Sequence, residues 1–286
     1  MRTEMNSDQQ QSAEHKQRIA AVFDKASAGY DSPALRFFPF AADRVVARLA
    51  PKPGWKVLDA ATGTGHLAVA LGQAVGSAGR VMAIDLSEGM LARAAHNINK
   101  MALTNVDLFT MDAEAPEFRS AYFDAVTCGF GLFFLPDMAR ALSQWRRVVR
   151  PGGTVIFTSF TEQAFQPLLQ QLVADLTEFG VDMESRPQAS QRLKNPDICR
   201  ELMAEAGLVD IEQSIEQVGY HLRTTDDWWE LVWNAAMRGL VEQIAPERRE
   251  EFQRVHLERL SSLQTEDGVW MDVEVIVTRG RRPDEV

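Results

Sequence analysis

The residues best suited to chemistry form one short turn and its surroundings. Asp59 stands near the end of the hydrophobic run Lys56 to Ala60, and Gly63 and Gly65 follow within the stretch KVLDAATGTGHLAVAL. Asp85 lies twenty residues beyond Gly65, at the end of the next hydrophobic run. A turn of this kind binds the pyrophosphate of a dinucleotide, a nucleoside triphosphate, or an adenosine that carries an amino acid.

The charge of Asp59 separates these ligands. A triphosphate loop needs a Gly-Lys pair, and no glycine of this chain precedes a lysine. Spacing alone still allows a dinucleotide, because Gly63 to Ala68 satisfies G-x-G-x-x-G/A. A carboxylate about 6 Å from a phosphate charge costs about 3 kcal/mol at an effective dielectric of roughly 20, whereas an ammonium there gains a similar amount. S-adenosylmethionine carries an ammonium and a sulfonium but no phosphate, so it fits this turn better than NAD does.

The elements that position the turn alternate between strand and helix. Hydrophobic runs with helical patterns between them predict five strands, at Lys56–Ala60, Arg80–Asp85, Val106–Met111, Phe123–Gly129 and Gly153–Phe160. This rhythm indicates crossover units and a mostly parallel sheet covered on both faces. A sixth strand is expected near Asp210–Tyr220 and a last strand at Val269–Thr278.

Helical segments flank this core. Ile19, Val22, Phe23 and Ala26 recur at helical spacing, whereas the first twenty residues are polar and read as a frayed start. Residues 1–50 are therefore expected to form an N-terminal helical cap, and residues 51–220 with 268–280 the core. The insertion 221–267 reads as two helices interrupted near Pro246, and we expect it to cap the acceptor.

Composition excludes several classes of protein. The longest nearly uncharged apolar stretch, Ala125 to Pro136, is shorter than the roughly 20 residues of a membrane helix. The net charge of −10 and the lack of a basic stripe disfavour a nucleic-acid partner. The two cysteines, Cys128 and Cys199, lack the spacing of a zinc site or a disulfide framework, so no metal is expected. The polar N-terminus and the few cysteines predict a cytoplasmic protein.

Five segments in order carry a resemblance to a known family. VLDAATGTG, AIDLSEGML, MDAE, FDAVTCGFGLFFLPD and RVVRPGG resemble the class I S-adenosylmethionine-dependent methyltransferases, over about Val57 to Phe160. Val22-Phe23 and Tyr30-Asp31 are similar to a stretch of the quinone-biosynthesis C-methyltransferases, which belong to the methyltransferase type 11 group. The resemblance implies an α/β fold: a Rossmann-like, doubly wound, seven-stranded and mostly parallel sheet with an antiparallel last strand, plus helical caps.

The resemblance also implies a set of residues that bind S-adenosylmethionine and its product S-adenosylhomocysteine. Asp59 and the two glycines would surround the methionine part, Asp85 the ribose hydroxyls, and Leu86 and Met90 the adenine. Cys128 would act through its backbone carbonyl. The alternative reading of Asp85 and Asp112 is that each merely caps the following helix. The full set comprises Tyr30, Asp59, Ala61, Gly63, Gly65, Asp85, Leu86, Met90, Asp112, Ala113, Cys128 and Phe130.

The acceptor side departs from the family. Ala61 occupies a position where glycine is more usual, and the quinone enzymes carry an Arg-Asn pair at the positions of Phe133 and Phe134. An aromatic acceptor pocket is expected from Phe133, Phe134, Trp228 and His221. Trp229 and Trp233 share a helical face and are expected in the core. A general base is optional, with His66 or His221 as candidates, while His15 and His96 read as solvated and His256 lies in the charged helical segment REEFQRVHLER.

Three classes of function follow. The first is methyl transfer by in-line displacement to a small, apolar or aromatic molecule. The second is methylation of protein or nucleic acid, although the Asn/Asp-Pro-Pro-Tyr/Phe run of amino-methylating DNA enzymes is replaced here by Cys128-Gly129-Phe130-Gly131. The third is a cofactor-binding module without catalysis. The sequence leaves the acceptor atom, the use of a base and the oligomeric state open.

Overall fold

The computed structural model describes residues 7–183 and 189–284. Within them, seven strands form the central sheet in the order β3-β2-β1-β4-β5-β9-β6, and β7 pairs with β8 in a separate two-stranded sheet. The strands are β1 Lys56–Ala60, β2 Arg80–Asp85, β3 Val106–Thr110, β4 Phe123–Gly129, β5 Val149–Phe160, β6 Val209–Gln217, β7 Tyr220–Leu222, β8 Val269–Met271 and β9 Glu274–Arg281.

Helices cover both faces of the sheet, and their termini follow local capping chemistry. The hydroxyl of Ser87 accepts the backbone N–H of Met90, and the carboxylate of Asp137 accepts that of Arg140, so these residues cap α4 and α5. The helices are α1 Ser7–Ala26, α2 Phe37–Leu49, α3 His66–Val75, α4 Glu88–Lys100, α5 Met138–Val148, α6 Leu168–Glu178, α7 Pro196–Glu205, α8 Thr225–Asn234, α9 Arg238–Val241 and α10 Arg249–Leu260.

The chain reverses its direction of winding between β1 and β4. Strand β1 pairs in parallel with β2 on one side and with β4 on the other. The ends of these strands therefore open a crevice at the point where the strand order reverses, which is where α/β sheets bind their ligands. The interior of the sheet is apolar on both faces, because Val57, Leu58, Ala125 and Val126 have no exposed surface.

The predicted fold class is confirmed, including the mostly parallel sheet with an antiparallel last strand. Strand β9 is antiparallel to both of its neighbours, β5 and β6. The first five predicted strands coincide with β1 to β5, although β5 begins earlier, at Val149.

Four expectations outside the five-strand core are corrected. The predicted sixth strand divides into β6 and β7, and the predicted last strand into β8 and β9. The insertion holds three helices, α8 to α10, rather than two. Helix α1 begins at Ser7, so the expected frayed start is wrong from residue 7 onward, and residues 1–6 lie outside the described residues. Helix α2 was not predicted as a separate element. The division into a cap, a core and an insertion stays a prediction.

Candidate functional site

A cavity opens at the carboxyl ends of β1, β2 and β4. It has about 1090 Å³ of atom-free space, part of which is open to solvent. Residues of helices α1 and α2 form part of its lining. The side chains that give it chemical character are Lys16, Tyr30, Asp59, Thr64, His66 and Asp85 among the polar ones, and Phe23, Phe38, Phe130 and Phe134 among the aromatic ones.

Asp59 is a fully buried carboxylate beside the cavity. The hydroxyls of Thr62 and Thr127 donate to its two oxygens, at 2.6 and 2.7 Å. Burial, together with a smaller effect of the nearby carboxylate of Asp85, raises the pKa of Asp59 to about 6 against the opposing effect of these two hydroxyls. No cation of the described residues pairs with Asp59, so a positively charged ligand group would meet an uncompensated carboxylate here.

The glycine turn leaves room for a ligand and brings two loops together. Gly63 has φ +56°, and a Cβ at this position would enter open space beside the cavity. Gly131, after β4, approaches so closely that a Cβ there would lie 2.5 Å from the Cβ of Ala61. Ala61 and Phe130 both adopt positive φ, 54° and 57°, which is uncommon outside glycine. Backbone strain of this kind concentrates at ligand sites.

Asp85, the last residue of β2, accepts two backbone hydrogen bonds. One of its oxygens accepts the backbone N–H of Gly63 at 2.8 Å, and the other accepts that of Ser87 at 2.9 Å. Burial raises the pKa of Asp85 even though these backbone donors oppose the shift. The residue that caps α4 is Ser87, so Asp85 is not merely a helix cap. Its carboxylate lines the cavity together with Leu86 and Met90.

Helix α1 docks over this end of the cavity. The ammonium of Lys16 lies 2.8 Å from Asp112 and 2.6 Å from the buried carboxylate of Glu114. Farther along the helix, Asp24 accepts the hydroxyl of Ser87 and the N–H of Gly89 at the start of α4. These contacts hold α1 at its middle and near its C-terminal end.

Tyr30 follows α1 and lies inside the cavity. Its ring stacks on Phe38 of α2 with centroids 4.8 Å apart and meets Phe23 of α1 edge to face. Burial, reinforced by the carboxylates of Asp85 and Asp31, holds the pKa of its phenol far above the ordinary value. The phenol is therefore a hydrogen-bond donor across the whole working pH range.

Helix α2 supplies an apolar wall that the sequence interpretation missed. Phe38, Ala41, Ala42 and Val45 line the cavity from one face of this helix. Residues 41, 42, 45 and 49 of the sequence are apolar at i, i+1, i+4 and i+8, which is the spacing of a buried helical face. That signal was available, and it identifies α2 as a cavity wall rather than a linker.

The structure brings most, but not all, of the predicted site residues to the cavity. Those that line it are Tyr30, Asp59, Ala61, Gly63, Asp85, Leu86, Met90, Ala113, Phe130 and Phe134. Those that do not are Gly65, Asp112, Cys128, Phe133, Trp228 and His221. Lining the cavity is a matter of position, and the binding roles of these residues stay predictions.

Three of the predicted cofactor residues lie behind the residues that line the cavity. Gly65 has φ +83°, and a Cβ there would lie 3.0 Å from Ala94 of α4, so this glycine allows α3 and α4 to pack. The carboxylate of Asp112 is held by Lys16 and by the N–H of Glu114. Cys128 is buried, and burial raises the pKa of its thiol far above the ordinary value.

Three of the four residues predicted for the acceptor pocket do not line the cavity. Phe133 is buried and does not line the cavity, whereas its neighbour Phe134 does. His221 is exposed in β7, where its ring packs against Trp270 of β8. Trp228 has no exposed surface, so it lies in the core and not in a pocket, whereas Trp229 and Trp233 are partly buried and pack against the core as expected.

Trp228 belongs to a buried polar clamp among the outer helices. Its indole N–H donates to Nε2 of His256 at 2.9 Å, and Nδ1 of His256 contacts Asp175 at 2.6 Å. Asp175 also pairs with Arg259. His256 is therefore fully buried, although the segment around it is charged. The clamp, formed by Trp228, His256, Asp175 and Arg259, joins α6, α8 and α10 away from the cavity.

The described residues also bear on metal binding and membrane crossing. Within residues 7–183 and 189–284, no three His, Cys, Asp or Glu side chains are grouped so that they could hold a metal ion. In the same ranges, no helix has both the length and the apolar character required to cross a membrane.

The fold and the comparison with known proteins define the class: a Rossmann-like, S-adenosylmethionine-dependent methyltransferase. Residues 10–176 match the model of the ubiE/COQ5 methyltransferase family, and the chain belongs to this family.

Two curated relatives and one solved structure illustrate the similarity. The chain is 32% identical to aklanonic acid methyltransferase DauC of Streptomyces sp. strain C5 over 220 residues, which are 73% of this chain and 94% of the relative. It is 35% identical to the ubiquinone/menaquinone biosynthesis C-methyltransferase UbiE of Ralstonia nicotianae over 184 residues, 58% of this chain and 72% of the relative. The YcgJ protein of Bacillus subtilis has the same fold, with a TM-score of 0.58, 17% identity and coverage of 86% and 99%.

The cavity fits the cofactor of this family. The open space beside Gly63 is a cradle that a side chain would fill, and Asp59 is a buried carboxylate without a cation. Both features suit an aminoacyl group that carries an ammonium. The apolar residues Leu86, Met90 and Ala113 suit a flat, weakly polar base.

Proposed function

We propose that this methyltransferase acts on a flat, aromatic small molecule of the polyketide kind. The observation that carries the proposal is the composition of the cavity: strand-end carboxylates on one side, and an apolar wall from α2 on the other. Phe38, Ala41, Ala42 and Val45 form that wall, and Phe130 continues it. A donor with two cationic groups suits the first side, and an apolar acceptor suits the second.

The cofactor side of the proposal assigns a role to each group. Asp59 faces the ammonium of the methionine part, Asp85 accepts from the ribose hydroxyls, and Leu86 with Met90 encloses the adenine. A carboxylate can accept hydrogen bonds from two vicinal hydroxyls. The lone pairs of Asp85 that the two backbone N–H groups leave free serve this purpose.

Methyl transfer from this cofactor needs little acid–base catalysis by the protein. The cofactor supplies a methyl group on a sulfonium, which is already activated for displacement. The chain fixes the two reactants in line and excludes water, and such alignment is worth several kcal/mol. Tyr30, Phe23 and Phe38 enclose the space between α1 and α2, so they shield the reacting carbon from solvent.

A polyketide acceptor is favoured over a quinol for two reasons. The positions where the quinone enzymes carry an Arg-Asn pair hold Phe133 and Phe134, and Phe134 packs edge to face on Phe23 instead of offering a charge. DauC, whose acceptor by name is aklanonic acid, is matched over nearly its whole length. The acceptor role predicted for the insertion moves to α2, because no residue of 221–267 lines the cavity.

A labelled-methyl assay tests the proposal. The protein is incubated with labelled S-adenosylmethionine and, separately, with aklanonic acid, a demethylmenaquinol, an RNA pool and a peptide pool. We expect label in the polyketide acid. Label in the quinol alone would move the acceptor to the quinone class, and label in RNA or peptide alone would refute a small-molecule acceptor. Binding of S-adenosylhomocysteine without transfer to any pool would favour a non-catalytic module.

A further inference from the structure

Thr158 places a hydroxyl in the apolar part of the cavity wall. It lies in β5, directly after Val155, Ile156 and Phe157, which have no exposed surface. Thr158 is itself fully buried, and it lines the cavity. Burying a hydroxyl costs free energy unless it is hydrogen-bonded, and a valine would fill a similar space without this cost. The hydroxyl therefore needs polar partners.

Only part of the hydrogen-bonding capacity of this hydroxyl is used. Its Oγ1 accepts the backbone N–H of Phe130 at 3.0 Å. A threonine hydroxyl also carries one hydrogen that it can donate. Within residues 7–183 and 189–284 this hydrogen has no acceptor. It is therefore available to a group bound in the cavity.

Thr158 points toward helix α2, which supplies the apolar wall. Successive side chains of a strand point to opposite faces of the sheet. Ser159 points to one face, where its Oγ lies 3.5 Å from Sγ of Cys199 in α7. Phe160 points to the other face and meets Phe37 of α2 edge to face. Because Thr158 lies two residues before Phe160, it shares the face of α2.

The position of Thr158 across the sheet separates it from the groups assigned to the donor. Strand β1, which carries Asp59, adjoins β4, and β4 adjoins β5. Two strand spacings amount to about 10 Å. Thr158 is in register with Gly129, the last residue of β4, which also lines the cavity. A group bound to Thr158 therefore lies beside the donor rather than in its place.

We infer that Thr158 binds the acceptor, and that its hydroxyl donates a hydrogen bond to a ring carbonyl oxygen of a flat aromatic ketone. Because this side of the cavity is assigned to the acceptor in the proposed function, the inference rests on that function. Packing against an apolar wall leaves a flat ring several orientations, whereas one directional hydrogen bond selects among them. Thr158 thus favours aromatic ketones over hydrocarbons of the same shape.

The charges around the cavity favour a neutral carbonyl as the bound group. Asp59 and Asp85 are carboxylates that line the cavity, and the lining ammonium of Lys16 is engaged by Asp112 and Glu114. A carboxylate on the acceptor would lose several hydrogen bonds to water on burial, and one neutral hydroxyl cannot replace them. A ketone oxygen needs only one donor.

Binding of two probes tests the inference. The probes are the carboxylates of anthraquinone and of anthracene, substituted at the same ring position. Both have three fused flat rings, but only the anthraquinone has ring carbonyls. Calorimetry with the full chain saturated with S-adenosylhomocysteine gives the ratio of the two dissociation constants. We expect Thr158→Val to reduce the preference for the anthraquinone about fivefold, the effect of losing one hydrogen bond to a neutral group.

Two variants of the same strand are the controls. Thr158→Ser keeps the hydroxyl and should keep the ratio within about twofold. Thr154→Val makes the same chemical change at a residue of β5 that does not line the cavity, and it should leave the ratio unchanged. Thr158→Val also leaves the N–H of Phe130 without its acceptor, but this loss affects both probes and cancels in the ratio. An unchanged ratio in Thr158→Val, or an equal change in Thr158→Ser, would overturn the inference.

The parent protein provides a measurement that does not depend on the folding of a variant. A hydrogen bond to a carbonyl lowers its stretching frequency, so infrared difference spectra of the bound anthraquinone should show a carbonyl band below its position in an apolar solvent. An unshifted band would overturn the inference. If neither probe binds the parent, the proposed acceptor class fails and the inference fails with it. If both bind without an effect of Thr158→Val on the ratio, the acceptor class stands and only the inference fails.

Discussion

Asp59 links the stability of the empty protein to pH through its raised pKa of about 6. Between about pH 4 and 6 the folded protein binds more protons than the unfolded chain, so the free energy of unfolding falls as pH rises through this window. Two pKa units correspond to about 3 kcal/mol, an upper value because other groups titrate as well. Denaturant unfolding at several pH values, without cofactor, measures this slope.

Asp59→Asn is the matched variant for that experiment. It should reduce the slope between pH 4 and 6, leaving the part that comes from Asp85, and unfold at higher denaturant than the parent at pH 7, while binding S-adenosylhomocysteine more weakly. A cationic ligand lowers the pKa of Asp59, so the parent should bind the cofactor better as pH rises through 6. A variant that is less stable and binds normally would contradict the role of Asp59 as an uncompensated carboxylate.

At the level of single residues, charge was predictable and packing was not. The buried position of Asp59 at the end of a strand beside the cavity follows from local sequence alone. The pairing of Asp112 with Lys16 joins residues 96 positions apart, so no local pattern contains it. The choice between Trp228 and Trp229 depended on a histidine 28 residues from Trp228 that accepts its indole N–H.

Helix α2 gives a prediction about the acceptor. Ala42→Leu adds volume to the apolar wall and should raise the acceptor's KM about tenfold while leaving cofactor affinity nearly unchanged, because overpacking costs about 1–3 kcal/mol where it occurs. Ala47→Leu is the control, since Ala47 lies on the exposed face of the same helix. Steady-state kinetics with each substrate varied makes the measurement. Equal effects from the two variants would show that α2 does not contact the acceptor.

Helix α1 gives a prediction about cofactor exchange. Lys16→Met leaves the buried carboxylate of Glu114 without its ammonium and weakens the docking of α1. We expect S-adenosylhomocysteine to dissociate about tenfold faster, as judged by stopped-flow displacement, if the lost pair is worth about 1.4 kcal/mol. Lys25→Met, which breaks an exposed pair of the same helix with Glu242, should have little effect. Identical rates in the two variants would argue against a closing role for α1.

At the level of elements, sequence predicted the parallel strands well because each is a continuous apolar run bounded by turns. It failed where a strand leaves one sheet for another. The break after β6 falls at Gly219, where a Cβ would lie 2.5 Å from the carbonyl oxygen of Met271. This close approach to a residue 52 positions later sets the boundary between β6 and β7. The sequence around Gly219 does not indicate it.

The buried clamp around Asp175 contributes to the stability of the whole molecule. Asp175→Asn leaves His256 and Arg259 without their shared carboxylate and should lower the free energy of unfolding by about 3 kcal/mol. The pKa of Asp175 is held below its ordinary value by His256 and Arg259, against the effect of burial, so this stability is lost as the solution becomes acidic. Glu178→Gln, which removes an exposed partner of Arg259, should change little. Cofactor affinity should survive both changes, and a loss of affinity would connect the clamp to the site.

Strand β9 sets the order in which the sheet can be completed during synthesis. It lies between β5 and β6 and pairs with both, yet it begins at Glu274, 57 residues after β6 ends at Gln217. A growing chain therefore holds a five-stranded sheet and an unpaired β6 until translation has passed Arg281. A ribosome that stalls before Glu274 releases a product that lacks two strands of the sheet rather than one. Such a product exposes the unpaired backbone edge of β5, and cellular proteases can degrade it before it aggregates.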